Sequence, residues 1–231
     1  MIIGNGLIAK AFSRHYAADP FVTIFAKGVS NSGEADVSAF LRERVLLLDV
    51  MESAPGKLVY FSSCAVADVE DAPSAYLQHK LEMERLVLAS GGNTVFRLPQ
   101  VVGKSGNATN LANHLYHHIA SGKSFLVWSG AERNLIDVED VASIASTLVD
   151  AGIGAGETIP IAAVKSIRMP ALVSIFEDIL GRKAVYELVD AGRPFPISAE
   201  LAWKTAADLN IGLDQGDAYA RAMLGKYYAL R

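Results

Sequence analysis

The chain predicts an α/β protein built on a doubly wound parallel sheet, and three features carry that prediction. Short apolar runs rich in β-branched and aromatic residues alternate with longer stretches of helical periodicity. A glycine turn, Gly4-Asn5-Gly6, joins the first such run to the first helical stretch. A later run, Lys57 to Phe61, leads straight into the paired serines Ser62 and Ser63. In an open parallel sheet ligands bind beyond the carboxyl ends of the strands, so the turn and the serines belong to one edge.

Met1 to Phe25 reads as a short strand at Ile2-Ile3, the turn Gly4 to Ala9, a helical pattern to Tyr16, and a second strand, Phe21 to Phe25. The spacing G-x-G-x-x-A between strand and helix is a dinucleotide-binding pattern. Gly4 permits the tight turn, Gly6 lets a pyrophosphate approach the helix N-terminus, and Ala9 lets helix and strand pack closely. Gly4, Asn5, Gly6, Leu7 and Ile8 are therefore candidate cofactor contacts. An NAD site usually has a carboxylate after its second strand, but this chain reads Ala26-Lys27-Gly28-Val29-Ser30-Asn31-Ser32. Lys27, with Ser30 and Ser32, can meet a 2′-phosphate, which favours NADP. As a solvated loop lysine it would be silent, and Asp36 is near enough to keep NAD open.

Glu34 to Glu52 has helical periodicity, with Phe40, Val45, Leu47 and Leu48 among its apolar positions. After the serine strand, Asp68, Glu70 and Asp71 form a polar loop, and Ser74 caps a helix that runs to Ala89 and stops at Ser90-Gly91-Gly92. Thr94 to Pro99 is a strand, and Gln100 to Gly103 leaves the sheet on the same side. Asn107 to Ser121 is a helix carrying His114, His117 and His118. Their spacing suits a metal, but no carboxylate or Cys accompanies them, so a solvated or half-buried face is the better account. Ser124 to Trp128 is a strand, and Arg133 to Ala142 passes from an extended run into a helix ending near Gly152. Then come a strand at Thr158 to Ala162, a helix at Pro170 to Leu180, and a strand at Ala184 to Leu188. Glu200 to Leu209 and Gln215 to Leu230 close the chain as helices.

Tyr76 and Lys80 stand four apart on the helix after the serines, so their side chains share a face. A free phenol titrates at about pH 10 and is a poor base at neutral pH, but a neighbouring cation favours the phenolate. Ser63, at the end of its strand, can hold a carbonyl or alcohol oxygen against that phenol. Alone, the Y-x-x-x-K pair reads better as an ordinary surface helix pair, and it is the rest of the chain that favours the catalytic reading.

Composition excludes other classes. A net charge of −4 and a pI near 5.7 leave no basic surface for a general nucleic-acid binder. The single cysteine, Cys64, rules out an internal disulfide framework and fits a reducing compartment, where it reads as a small buried residue. No apolar run approaches the roughly 20 residues of a membrane span, so a cytoplasmic protein is expected.

The glycine turn with FSSCAVAD, YLQHK, FRLPQVVG and RNLIDVEDVA resembles the extended short-chain dehydrogenase/reductase family, specifically its NAD-dependent epimerase/dehydratase branch acting on nucleotide sugars. The resemblance runs along nearly the whole chain. It implies a single Rossmann-type NAD(P)-binding domain over residues 1–231, with residues from about 163 to 231 adding a small substrate-side lobe. By it, Ser63 is the catalytic hydroxyl, Tyr76 the general acid/base, and Lys80 the residue that lowers the phenol pKa and holds the nicotinamide ribose. Ser62, Leu98, Pro99 and Val102 would border the cofactor. Cys64, Asn107 and Arg133 would face the substrate, Arg133 at its diphosphate. NAD or NADP, a nucleotide-sugar substrate and a homodimer through the Y-x-x-x-K helix and the helix before the serine strand are implied as well. The expected activity is redox or epimerase chemistry on a 4-keto or 4-hydroxy sugar, in surface polysaccharide biosynthesis. The alternative is a non-catalytic nucleotide- or protein-binding member of the same fold.

The chain departs from that branch in three places. Ile3 stands where a first Gly is usual, and Val66-Ala67-Asp68 replaces Val-Tyr-Gly. Only 36 positions separate Ala26 from Ser62, too few for the usual third strand and its helix besides Glu34 to Glu52. This shortened form lacks one strand–helix unit, which leaves the adenine side of the cofactor less enclosed and the strand Phe21 to Phe25 exposed at the sheet edge. Dehydration would need a further acid/base pair, and Ser63-Cys64-Ala65 offers none.

Overall fold

Val22, Thr23, Ile24 and Phe25 are all buried, as a strand covered on both faces must be. In the computed structural model, which describes residues 1–54, 56–68, 73–105, 107 and 110–229, they form β2. The first half contains β1 (Ile2–Ile3), α1 (Leu7–Tyr16), β2 (Val22–Phe25), α2 (Val37–Ser53), β3 (Lys57–Ser63), a 3₁₀ turn (Cys64–Ala67), α3 (Ala75–Ala89), β4 (Thr94–Leu98), β5 (Gln100–Val102) and α4 (Leu111–Ser121). The second contains β6 (Phe125–Trp128), β7 (Glu132–Arg133), β8 (Leu135–Asp137), α5 (Val138–Asp150), β9 (Thr158–Pro160), β10 (Ile167–Arg168), α6 (Met169–Leu180), β11 (Tyr186–Val189), α7 (Glu200–Asp208) and α8 (Asp217–Tyr228). Glu70, Asp71 and Leu230 lie outside the described residues.

Side-chain caps set several helix starts. The carboxylate of Asp36 accepts the Ser38 N–H at 2.9 Å, so α2 begins at Val37 rather than Glu34. Asn110 accepts from the Ala112 N–H at 2.9 Å, which starts α4 at Leu111, and Ser74 caps α3 through the Leu77 N–H at 3.3 Å.

The chain groups into two compact units: Met1–Leu98 with Val138–Ile161, and Pro99–Asp137 with Ala162–Arg231. The first holds a parallel sheet of order β1-β2-β3-β4-β9 with helices on both faces. Against one face, Leu47 and Val50 of α2 and Met83 and Val87 of α3 pack on Phe25, Leu58, Tyr60 and Val95. Against the other, Phe12 of α1 meets Phe61 at a ring separation of 5.2 Å, and the Tyr16 hydroxyl donates to Asp150 of α5 at 2.6 Å. The sheet is doubly wound, as expected.

The edge strand is a correction. β2 was expected at the sheet edge, but it lies between β1 and β3, pairing Ile24 with Ile2 on one side and Val59 on the other. On that side the edge strand is β1. Among the described residues between β2 and β3 there is one helix and no strand, so the chain returns from α1 directly into the position beside the serine strand. This has a consequence for handedness. The steps β1 to β2 and β2 to β3 run the same way across the sheet, yet α1 and α2 lie on opposite faces. Their crossovers therefore have opposite hands, and the one through α1 also differs from the one through α3. Right-handed crossovers are close to universal, so a sheet that mixes the two hands is unusual.

In the second unit, parallel pairs β5–β8 and β6–β11 and the antiparallel pair β7–β10 surround helices α4, α6 and α8. Leu115, Ile119, Leu172, Phe176 and Leu224 form the centre of its core. The buried carboxylate of Asp137 accepts from Lys226 at 2.9 Å and from Tyr227 at 2.7 Å, tying α8 to the end of β8. No helix among the described residues is long and apolar enough to cross a membrane.

Candidate active site

The carboxyl ends of β1, β2 and β3 bring the glycine turn, the Lys27 loop and the paired serines side by side. Gly4 has φ +127°, and a Cβ on it would lie 2.4 Å from the Ala26 carbonyl oxygen at the exit of β2, so only glycine fits. Gly6 precedes the first helical turn, whose N–H groups have no side-chain cap, and nothing lies within 4 Å of where its Cβ would be. An approach of that kind, open to backbone N–H groups at a helix N-terminus, fits a pyrophosphate. Asn5 and Gly6 are exposed, Leu7 and Ile8 are half-buried, and Ala9 is buried against the sheet. The buried Ser62 hydroxyl has no protein partner among the described residues. The residues present therefore fit a nicotinamide dinucleotide at the turn.

Ser63 ends β3, and its hydroxyl accepts the Ala65 N–H at 3.2 Å, which starts the 3₁₀ turn after it. Tyr76 opens α3, buried, and its phenol interacts with the Ser63 hydroxyl. Lys80 lies one turn further along the same face, with its ammonium 5.9 Å from the Tyr76 ring centre. The three residues singled out by spacing are thus brought together in one unit. Cys64 is buried beside them, its thiol donating to the Arg97 carbonyl at 3.3 Å and pushed up to about 12 by burial, which makes it inert as a nucleophile.

The electrostatics differ from expectation. Lys80 was expected to lower the Tyr76 phenol, yet that phenol is pushed up: burial raises it most, the Ser63 interaction opposes this, and the charge on Glu43 raises it further. The reason is a buried cluster that sequence reasoning missed. The Lys80 ammonium donates to Glu43 Oε1 at 3.1 Å and to the Tyr60 hydroxyl at 2.9 Å, and Tyr60 itself donates to Glu43 Oε1 at 2.5 Å. Glu43 Oε2 accepts the Val29 N–H at 2.6 Å and lies 2.9 Å from His79 Nε2. Burial alone would raise the Glu43 carboxyl, but His79, Lys80, Tyr60 and Val29 hold it down at about 2. Burial lowers Lys80, and Glu43 opposes that. Glu84, one turn beyond Lys80, is held by Arg97 through two hydrogen bonds of 2.9 and 2.6 Å. One signal for the cluster was available: Glu43 shares its helix stripe with Leu47 and Val50, the buried residues of α2.

Other expected site residues fall as follows. Lys27, Ser30 and Ser32 are exposed and leave β2 on the serine side of β1. In the usual Rossmann order the second strand flanks the glycine strand on the side away from the serine strand, whereas here β2 lies on the serine side, which counts against a 2′-phosphate role for Lys27. Asp36, the NAD alternative, is occupied in capping α2. Leu98 is buried at the end of β4, paired with Ser63. In the second unit Pro99 is half-buried and Val102 buried. Asn107 is exposed there, its carbonyl accepting from Asn113 at 2.7 Å. Arg133 is half-buried on β7, lowered by burial, and donates to the Glu132 carbonyl at 2.8 Å. His114 and His118 stack with ring centres 4.0 Å apart, and among the described residues no group of three or more His, Cys, Asp or Glu is arranged to hold a metal ion.

Residues 8–162, from the second position of α1 to just past the end of β9, match the NAD dependent epimerase/dehydratase family. The chain belongs to that family. Its fold is similar to that of several solved structures. RMD from Pseudomonas aeruginosa, complexed with NADPH, is 17% identical, with a TM-score of 0.69 over 99% of this chain and 88% of that one. UDP-glucose 4-epimerase from Thermus thermophilus, in complex with NAD, is 12% identical, with a TM-score of 0.70 over 97% and 83%. UDP-glucuronic acid 4-epimerase from Bacillus cereus, in complex with UDP-glucuronic acid and NAD, is 14% identical, with a TM-score of 0.70 over 97% and 80%. At these identities the likeness is one of fold. Among curated proteins none matches. The family's Rossmann-type sheet is present here with its glycine strand at the edge.

Proposed function

We propose that this family member is an NAD(P)-dependent oxidoreductase or epimerase acting on a nucleotide-linked sugar, with chemistry at a 4-keto or 4-hydroxy centre. The observation that carries the proposal is the meeting of Ser63, Tyr76 and Lys80 at the sheet edge that also bears the glycine turn. Bound at that turn, a nicotinamide supplies or accepts the hydride. Tyr76 moves the proton at the sugar oxygen, and Ser63 donates a hydrogen bond that holds that oxygen in place. The N-terminal N–H groups of α1 bind the pyrophosphate, with Gly4, Asn5, Gly6, Leu7, Ile8 and Ser62 around it. Lys80 contributes a donor for the nicotinamide ribose. Leu98, Pro99 and Val102 keep the cofactor-bordering roles that the family resemblance gives them, and Cys64, Asn107 and Arg133 the substrate-facing ones. Lys27 leaves β2, the strand between the glycine turn and the serines, so it is read as a cofactor contact that does not choose between NAD and NADP.

A place in surface polysaccharide biosynthesis and a cytoplasmic location accord with this chemistry. A homodimer does too, because α2 turns an apolar stripe outward: Val37, Leu41, Val45 and Leu48 are 65, 53, 54 and 36% exposed. The test of function is product analysis. With NAD or NADP and nucleotide-linked 4-keto or 4-hydroxy hexoses, the protein should yield sugars changed in oxidation state or configuration at C4. A protein that binds the nucleotides and changes none of them is the non-catalytic member instead, a reading favoured by the engagement of Lys80 with Glu43 and Tyr60.

A further inference from the structure

We propose that Glu43 is a positioning residue of this site: it fixes the Lys80 ammonium against Tyr60, offsets its charge at Tyr76, and so favours the neutral phenol of Tyr76, the form that gives its proton to a carbonyl oxygen. The inference deepens the proposed function and rests on its reading of Tyr76 as the proton-transfer group.

The geometry carries the argument. Lys80 Nζ is 3.1 Å from Glu43 Oε1 but 5.9 Å from the Tyr76 ring centre. A cation in contact with its counter-ion acts on other groups as one end of a dipole, so its attraction for a phenolate is weakened. Three elements build the pair: α2 supplies Glu43, β3 supplies Tyr60, and α3 supplies Lys80 and His79. The loop after β2 closes over it, since a Cβ on Gly28 would lie 2.7 Å from Lys80 Nζ and 2.8 Å from Glu43 Oε1. Val29 in that loop gives its N–H to the other carboxylate oxygen. To bond an ionised carboxylate, His79 must carry its proton on Nε2.

The other ionisable groups around the pair are Tyr76, Glu84 and, through Glu84, Arg97. The raised phenol of Tyr76 agrees with this balance of charge. Packing alone gives no reason for the acid, because a buried ion pair can be replaced by apolar residues of the same shape with little loss of stability. A neutral phenol serves the reduction of a carbonyl, in which carbon gains the hydride and oxygen gains the phenolic proton.

The test is a direct titration of Tyr76 by NMR of ¹³Cζ-labelled tyrosine, its signal assigned by its loss in Tyr76→Phe. In the wild type the phenol should persist beyond the ordinary tyrosine value of about 10. Glu43→Gln should lower the midpoint by about one pH unit or more, a tenfold change in proton affinity. Tyr60→Phe, which removes a hydrogen bond from the same cluster without removing charge, should leave the midpoint in place. An unmoved Tyr76 in a folded Glu43→Gln protein overturns the proposal, as does an equal shift in Tyr60→Phe. If Glu43→Gln does not fold, Glu43→Asp draws the carboxylate back by one methylene and should give a smaller shift of the same sign. No shift there, or failure of both variants to fold, assigns Glu43 to the fold alone and also overturns it. The titration needs neither cofactor nor sugar. A shift in a protein that converts no nucleotide sugar would thus sink the proposed function and leave the electrostatic role of Glu43 standing.

Discussion

Lys80 and Glu43 form an ion pair at 3.1 Å in which the two side chains are only 3 and 1% exposed. Each is the condition for burying the other, because removing one partner of such a pair typically costs about 3–5 kcal/mol. Lys80 is also one helical turn from Tyr76, the residue to which the chemistry is assigned, with its ammonium 5.9 Å from that ring centre. Structure and proposed function therefore meet at this contact, and its behaviour is measurable.

Acid stability follows from it. Glu43 is held at about 2 against an ordinary 4.5, so its contribution is complete above 4.5 and is lost as the pH falls from 4.5 towards 2. Linkage makes the loss on the order of 3 kcal/mol. Urea unfolding at a series of pH values should show this decline in the wild type. In a folded Glu43→Gln protein the decline should be shallower, whereas equal slopes would contradict the assignment.

The two glycines of the turn should separate folding from binding. Gly4→Ala places a Cβ 2.4 Å from the Ala26 carbonyl at a φ of +127°, and should destabilise by about 1–3 kcal/mol or prevent folding. Gly6→Ala meets nothing within 4 Å and should leave a folded protein. Its methyl group should nevertheless weaken dinucleotide binding by occupying the approach to the helix N-terminus. Thermal unfolding and calorimetric titration of both variants check this pair.

Lys27→Ala should leave the ratio of NADP to NAD affinity unchanged within about threefold, under 1 kcal/mol, because Lys27 leaves the strand that lies between the glycine turn and the serines. A fall of tenfold or more in NADP affinity alone, by fluorescence titration, would restore the 2′-phosphate assignment.

For the proposed dimer, Leu41→Glu places a charge in the middle of the exposed stripe of α2. Light scattering should give the mass of two chains for the wild type and of one for the variant. A wild-type monomer at micromolar concentration would remove the dimer from the account.

The parts of this molecule that depend on nearby residues were legible in the sequence. Ser74 caps α3 where a cap was expected, and Tyr76 and Lys80 share a face because four residues make one helical turn. The glycine turn lies between a strand and a helix, as its spacing demanded. What was not legible depended on distant pairing. Glu43 sits between Arg42 and Arg44, where its immediate neighbours do not set it apart from a solvated charge, while its partner Lys80 is 37 positions away. The place of β2 was hidden for a similar reason. A strand's own residues specify its burial but not its neighbours, and the missing strand–helix unit changes which neighbours it has.

Tyr76 is the residue whose loss tests the proposed chemistry most directly. A phenol can exchange a proton with a sugar oxygen and a phenyl ring cannot, so turnover of a nucleotide-linked 4-keto or 4-hydroxy sugar should fall in Tyr76→Phe by a factor on the order of 10²–10⁴. Cofactor affinity, titrated on the same samples, should stay nearly as in the wild type, since the glycine turn is untouched. Turnover by Tyr76→Phe at the wild-type rate would contradict the catalytic assignment.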